Sequence, residues 1–373
     1  MKHVAINALQ YKQNSSGIGV MLRELFSRYT CCTVRSCQVI LPHDGPEFPA
    51  RPGTGLVRIP WDHRQNLHRM FFQTFLLGRR YGKDGILLTT DSKTPFFLPK
   101  SCTLIPLITD LAVFRMPEVY QFSRVWWWRF QYRYLCRRAD LFLTISEFTK
   151  GEMTKLLGIP PHRIRVVPCA ASERFSPITD PAALEALRAR YALPERFVLF
   201  VGNNNPRKNL ARMVRAFDLA KERGEIPHHL VIAGEQGWKF DPEKALEGIR
   251  NRDAVHFIGF VPDEDMSALY SAAELFLFPT LYEGFGIPVL EAQLCGTPVL
   301  TSRGSSLPEV GGEAAVYVDP LREEDICAGM LRVLEDPALA QALSQKGFEN
   351  AGRFSWEASA RLLNQIIEEE VKS

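Results

Sequence analysis

This sequence predicts a two-domain α/β protein with parallel sheets, on three observations. The chain of 373 residues is too long for one ordinary core. Short apolar runs alternate along it with longer amphipathic ones, the pattern of strand–helix–strand units. Charge divides it in two: residues 1–175 hold 25 Lys and Arg against 12 Asp and Glu, while residues 176–373 hold 20 against 30. A basic half therefore precedes an acidic one, and the basic half invites an anionic surface or ligand.

The strand candidates of the first half are, in order, VAINAL, CQVILP, GILLTT, TLIPLI, LFLTI and IRVVP. Those of the second half are FVLFVG, HLVIAG, VHFIGF, LFLFPT, TPVLTS and AAVYVD. Six in each half predicts two similar sheets. The joint falls around PCAASERFSPITDP, residues 168–181, which gives domains of 1–175 and 176–355. The closing segment FSWEASARLLNQIIEEE has apolar residues at helical spacing, and a helix over about 356–373 is expected to pack back on the first domain.

Composition is that of a soluble globular protein, 46% hydrophobic and 23% charged. No apolar run approaches the ~18 residues of a membrane span, and the start MKHVAINALQ lacks the apolar core of a signal peptide. The eight cysteines are scattered, with no CxxC pair, so a reduced cytoplasmic chain without a zinc site is expected. Neither GxGxxG nor GxxxxGK[ST] occurs, which argues against a dinucleotide dehydrogenase or a P-loop enzyme. No recognised nucleic-acid-binding module is present either.

Three stretches carry chemistry. In EGFGIPVLE, Glu283 and Glu291 stand eight positions apart around two glycines and a proline. Gly284 and Gly286 allow a tight turn, and Pro288 suits the first turn of a helix. The free N–H groups at that helix start would face something negative. A charge placed to suit the helix dipole is the plainer reading of Glu291. Next, the strand FVLFVG ends at Gly202 and leads into NNNPRKNLARMVRAF, a helical pattern. Ligands of open α/β sheets bind beyond the carboxyl ends of strands. Arg207 as a fork and Lys208 as a point charge thus stand where a phosphate is expected, although a solvated basic pair would look the same. Last, SSGIG (Ser15–Gly19) precedes the helical VMLRELFSRY, and its glycines could close backbone on an anion or make an ordinary turn.

In order and spacing these elements resemble the retaining glycosyltransferases of family 4, whose signature is the E-x7-E element. The resemblance extends to TDLAVFRMPE, LTISEFTK, GFVPDEDMSALYSAAELFLFP and the FSWE helix, nearly the whole chain. It implies the GT-B fold: two Rossmann-like, doubly wound parallel-sheet domains facing across a cleft, the first for the acceptor and the second for the nucleotide sugar. Arg207 and Lys208 would hold the donor diphosphate and offset charge on the leaving group. Gly17, Gly19 and Gly202 would bring backbone against the donor. Glu291 would accept hydrogen bonds from the ribose. Glu283, with Gly284 and the N–H groups of Phe285, Gly286 and Ile287, would touch the sugar, and Val261 would frame the base. The donor would be a GDP or UDP sugar, with no cofactor and no metal. Asp263-Glu264-Asp265 spells a DxD, but between a strand and a helix start a cap or solvated turn is favoured.

One departure concerns the strand TLIPLI. Relatives typically carry His-Asp after it, and this chain has Thr109-Asp110. Asp110 is kept as a catalytic candidate, with Thr109, Ser146 and Glu147 as candidates on the acceptor side. The segments HRQNLHRMFFQTFLLGRRYGK and SRVWWWRFQYRYLCRR interleave aromatics with Arg. They suit an anionic membrane surface or a lipid diphosphate, or they are buried faces with arginines reaching outward. Three consecutive Trp, 126–128, cannot share one helix face. The resemblance implies a cytoplasmic hexosyltransferase, mannose favoured, that acts with retention on a glycan or lipid-linked saccharide. Such enzymes build bacterial surface polysaccharides such as lipopolysaccharide. Alternatives are an inactive nucleotide-sugar-binding or scaffold subunit, and a nucleotide-sugar epimerase of the same fold.

Overall fold

A computed structural model describes residues 3–11, 17–29, 36–60, 66–83, 85–90, 95–203, 205–224, 226–234 and 242–372. Among them run thirteen strands in two all-parallel sheets. The first sheet holds β1 (His3–Asn7), β2 (Ser36–Pro42), β3 (Thr54–Ile59), β4 (Gly85–Thr89), β5 (Thr103–Ile108), β6 (Phe142–Thr144) and β7 (Ile164–Val166), in the order β3-β2-β1-β4-β5-β6-β7. The second holds β8 (Phe197–Val201), β9 (His229–Ala233), β10 (Val255–Gly259), β11 (Leu275–Phe278), β12 (Val299–Ser302) and β13 (Val316–Val318), in the order β10-β9-β8-β11-β12-β13.

The expectation of six strands per half is corrected by β3. Its sequence TGLVRI breaks the apolar run with Gly55 and Arg58, and it lies at the sheet edge with Leu56 and Arg58 open to solvent. An edge strand does not need the continuous apolar character that marks central ones. Central β8 and β11 show that character fully, since FVLFV and LFLF are almost entirely buried.

The chain divides into two compact units, Met1–Cys169 with Ser355–Ser373, and Ala170–Phe354. Residues 170–175, assigned on sequence to the first domain, go with the second. In the first unit the last helix, Trp356–Lys372, buries Trp356, Leu363 and Ile367, and Ser359 Oγ donates to Pro168 O at 2.7 Å. In the second unit, β8 has β9 on one side and β11 on the other. Chain direction across the sheet reverses there, and a crevice opens at the carboxyl ends of such neighbouring strands. The loops that leave β8 and β11 carry the basic pair and EGFGIPVLE.

Candidate active site

Beyond β8 the chain makes a single tight turn, Pro206–Lys208, before the helix Leu210–Gly224 begins. Asn205 starts that turn by accepting the Arg207 N–H on its side-chain oxygen at 3.1 Å, and Pro206 fits where no N–H is needed. Asn209 ends it in the left-handed region at φ 63°, a conformation Asn tolerates better than most residues. Its amide donates to Pro279 O at 3.0 Å and to Pro320 O at 2.6 Å. The Leu281 N–H donates to Arg207 O at 2.8 Å. The loop after β8 is thereby fastened to the loop after β11.

That fastening brings the basic pair onto the first acid of EGFGIPVLE. Lys208 Nζ lies 2.8 Å from Glu283 Oε1, and Arg207 Nη1 lies 3.4 Å from Oε2. Arg207 also donates to Tyr282 O at 3.3 Å. Lys208 Nζ stands 4.6 Å from the Phe278 ring centre, a favourable seat for an ammonium ion. Burial pushes the Glu283 carboxyl up, but the charges of Lys208 and Arg207 more than offset this and hold it below the usual carboxylate range. The acid is ionised at neutral pH because two cations neutralise it.

The Glu283 loop is shaped by its neighbours. Ser306 Oγ lies 3.0 Å from Glu283 O and 2.7 Å from Phe285 O, where it donates to the loop. Gly286 has φ 110° and immediately precedes the helix Ile287–Leu294. Only glycine takes that conformation without strain. Pro288 occupies the second helical position, as expected. The Phe285 ring is buried edge-on against Phe354 at 5.6 Å, so only the backbone of that residue is left to meet a ligand.

Glu291, in that helix, has a different environment. Tyr270 donates its hydroxyl to Glu291 Oε2 at 2.9 Å. Burial pushes the carboxyl up to about 7, against the Tyr270 hydrogen bond and the charge of Arg174. The two acids of the motif are thus electrostatically opposite: one is held charged, the other stands near the midpoint of its titration.

Not every expected residue joins this cluster. Val261 is buried just beyond β10. Gly202 does border the cluster: its N–H closes β8 on Ala233 O at 2.9 Å, and a side chain there would stand 3.6 Å from Lys208 Cε. Both oxygens of Glu283 meet the basic pair, because a carboxylate this buried must be paired. Asp263-Glu264-Asp265 form a turn directly ahead of the helix Met266–Ala272, with Asp263 and Glu264 exposed, in keeping with the turn reading. Asp263 pairs with Arg174. Asp265 accepts from Arg190 Nη1 at 2.7 Å and from Tyr191 Oη at 2.6 Å, with no capping bond to its own helix.

The remaining candidates belong to the first unit. Asp110 follows β5 and accepts the Ala112 N–H at 3.0 Å, which opens the short helix Ala112–Arg115. Thr109 beside it is half-buried. Arg115 then forks onto the buried Glu152 and fixes that helix. Ser146, an acceptor-side candidate, is a buried helix cap, accepting from the Thr149 N–H at 3.1 Å. Glu147 is exposed, 3.5 Å from Lys150. Gly17 and Gly19 sit in the first turn of the helix Gly17–Ser27, and a side chain at Gly17 would meet open space. Ser15 and Ser16 of that glycine stretch, and His63 to Gln65 of the first basic segment, lie outside the described residues.

Sequence reading missed Tyr270, Asn209, Phe278 and Gly234. A side chain at Gly234 would stand 2.0 Å from Gly202 O, so the ends of β8 and β9 approach closely only through glycine. Asn directly after a basic pair and ahead of a helix was a usable signal for a left-handed turn. Tyr270 offered none.

Comparison with known proteins agrees with this geometry. Residues 185–350 match the family model "Glycosyl transferases group 1", and residues 107–173 match "Glycosyltransferase Family 4". The O-antigen chain mannosyltransferase B of Escherichia coli is 33% identical over 264 residues, which cover 70% of this chain and 69% of that one. The serotype-specific mannosyltransferase WbdA of the same species is 33% identical over 233 residues, 60% of this chain but only 28% of its own length. Among solved structures, sucrose-phosphate synthase from Thermosynechococcus elongatus aligns over 100% of both chains with a TM-score of 0.76 and 19% identity. WaaG, a glycosyltransferase involved in lipopolysaccharide biosynthesis, aligns over 98% of this chain and 99% of that one at a TM-score of 0.73 and 18% identity. The fold is GT-B, and the chain belongs to the family 4 glycosyltransferases.

Proposed function

We propose that this enzyme transfers a hexose, mannose first among the candidates, from a nucleoside diphosphate sugar to a saccharide acceptor, with retention at the anomeric carbon. The observation that carries the reading is the meeting of Lys208, Arg207 and Glu283 beyond β8 and β11, with Glu291 one helix turn further on. Leaving-group departure breaks the bond between the anomeric carbon and the diphosphate oxygen, and the electron pair goes with the diphosphate. Lys208 and Arg207 offset that growing charge, the role a metal ion would fill elsewhere, so transfer is read as metal-independent. The acceptor hydroxyl attacks from the same face, and its proton passes to the departing phosphate oxygen. No enzymic nucleophile is needed.

The names of the relatives support the finer points. The mannosyltransferases of O-antigen synthesis favour mannose and a role in surface polysaccharide. Structural neighbours captured with UDP and glucose, or with UDP-glucose, add uracil as a candidate base beside guanine. We place the reaction in the cytoplasm, at the inner membrane face where a lipid-linked acceptor would stand. GDP-mannose and UDP-glucose, each incubated with the protein in water, test the reading. Slow release of nucleoside diphosphate from one of them is expected. Binding without release from any donor favours the second reading, an inactive nucleotide-sugar-binding subunit, for which Thr109 in the usual His position speaks.

A further inference from the structure

One face of the first unit has no part in the chemistry above. It is built by residues 66–81, by residues 95–100 and by the helix Phe122–Arg138. Phe122 is 86% exposed, Trp126 63%, Phe71 53%, Phe97 47% and Phe130 45%. These are five of the nine exposed large hydrophobics among the described residues. Four of them, Trp126, Phe130, Phe71 and Phe97, are joined by ring contacts through Phe96 and Phe75. Trp126 stacks on Phe130 at 6.0 Å, Phe130 meets Phe96 at 6.1 Å, and Phe75 bridges Phe96 to Phe71 at 5.1 Å. Phe122, Trp126 and Phe130 recur every four positions, so they form one stripe along the helix. Tyr134 Oη donates to Phe96 O at 2.9 Å and holds the connecting loop against that helix.

The charge is one-sided. Residues 66–81 contain three Arg and the helix 122–138 contains five, without one Asp or Glu in either; of these, Arg138 pairs with Asp140 at 3.3 Å and bonds Pro99 O and Cys102 O. Arg133 and Arg137 continue the aromatic stripe at helical spacing, and the Arg79 guanidinium lies 4.3 Å over the Phe97 ring. Between the two segments opens a pocket of about 370 Å³ lined by His68, Met70, Phe71, Thr74, Phe75 and Trp127, almost wholly apolar.

We propose that this face docks on an anionic lipid bilayer, with Phe122, Trp126 and Phe130 entering the headgroup region and the pocket taking an acyl chain. The arginines supply attraction to anionic headgroups, and the aromatic rings suit the boundary between hydrocarbon and water. A second copy is a poor occupant, because a self-complementary interface would set arginine against arginine. A single-stranded nucleic acid would use the charge and the rings but has no apolar chain for the pocket. The inference rests on the proposed lipid-linked acceptor only for its purpose, and it is tested without turnover.

The experiment is flotation with vesicles of phosphatidylcholine alone and with 30% phosphatidylglycerol, at about 0.1 and 0.5 M salt. At least tenfold tighter binding to the anionic vesicles is expected. The double substitution Trp126→Ser, Phe130→Ser should lower that binding more than tenfold with unchanged melting temperature, while Leu56→Ser, an exposed apolar residue on edge strand β3, should not. Lipids brominated near the headgroup should quench wild-type fluorescence more than that of Trp126→Phe. Equal recovery with both lipids, or full binding by the double variant, overturns the proposal. So does tighter binding to polyuridylate than to vesicles of equal phosphate content, or dimerisation abolished by Trp126→Ser.

Discussion

Lys208 Nζ and Glu283 Oε1 sit 2.8 Å apart with both side chains buried, one from the loop after β8 and the other from the loop after β11. Lys208 has Glu283 as its counter-charge there, and Glu283 also has Arg207. Removing one partner of a buried pair costs about 3–5 kcal/mol, because it strands the other. Lys208→Ala is therefore expected to lose stability of that order, reduced to the extent that Arg207 takes over Glu283, and to lose nucleoside diphosphate affinity. In Lys208→Ala, Glu283→Gln much of the stability should return while affinity does not. Chemical denaturation and calorimetry measure both. An unchanged diphosphate affinity in Lys208→Ala would remove Lys208 from the phosphate site.

Glu283→Gln isolates the other partner. The ammonium of Lys208 loses its counter-charge but remains available to phosphate, so free diphosphate affinity should not fall. Turnover should, because the cation is no longer oriented and the developing positive charge on the sugar ring loses a nearby carboxylate. Parallel loss of turnover and diphosphate affinity would contradict this separation.

Glu291 predicts a pH dependence. Its carboxyl is raised from 4.5 to about 7 in the fold, so its contribution to stability is fully present below pH 4.5 and is lost as pH rises through about 7. Glu291→Gln should remove that decline from the stability profile. Binding runs the other way. A ribose diol donates best to the ionised acid, so affinity for a nucleoside diphosphate sugar should rise as pH passes 7 in the wild type and stay flat in the variant. At pH 8 the variant should be weaker by roughly 1.5–3 kcal/mol, the worth of a charged hydrogen bond. Titration calorimetry across this range decides it. Equal slopes would take Glu291 out of the ribose site.

Tyr270→Phe tests the same carboxyl from its other side. The Tyr270 hydroxyl donates to the acid at 2.9 Å and favours its charged form, so without it the titration midpoint moves higher still. Donor affinity measured at pH 7 should drop, and most of it should return at pH 9. A loss equal at both pH values would mean that Tyr270 acts by packing alone.

How much of this could be read along the chain follows from where partners sit. The strands β8 and β11 and the motif EGFGIPVLE announce themselves locally, by apolar runs, Gly286 and Pro288. Lys208 and Glu283 are separated by 75 positions, and only the pairing of β11 beside β8 brings them together. No spacing in the sequence encodes that distance. Ser146 illustrates the reverse: its position just before a helix in LTISEFTK makes it a cap, a role its immediate neighbours encode. The edge strand β3 escaped notice because its exposed residues follow no apolar period.

Gly286→Ala probes the turn itself. At φ 110° a methyl group is strained, and it would also stand 2.7 Å from Leu307 Cδ2. The cost should be about 1–3 kcal/mol, and turnover should fall with it because the Glu283 loop is displaced. Wild-type stability together with wild-type turnover would show that the loop tolerates another conformation.

The central claim is that Lys208 and Arg207 of the second unit drive transfer of a hexose with retention. The most direct measurement follows an α-linked nucleoside diphosphate mannose with a saccharide acceptor by proton NMR, for the wild type and Lys208→Ala. An α-linked product from the wild type, with transfer nearly abolished in the variant, is the expected result. A β-linked product, or binding of the donor with neither transfer nor hydrolysis, would contradict it.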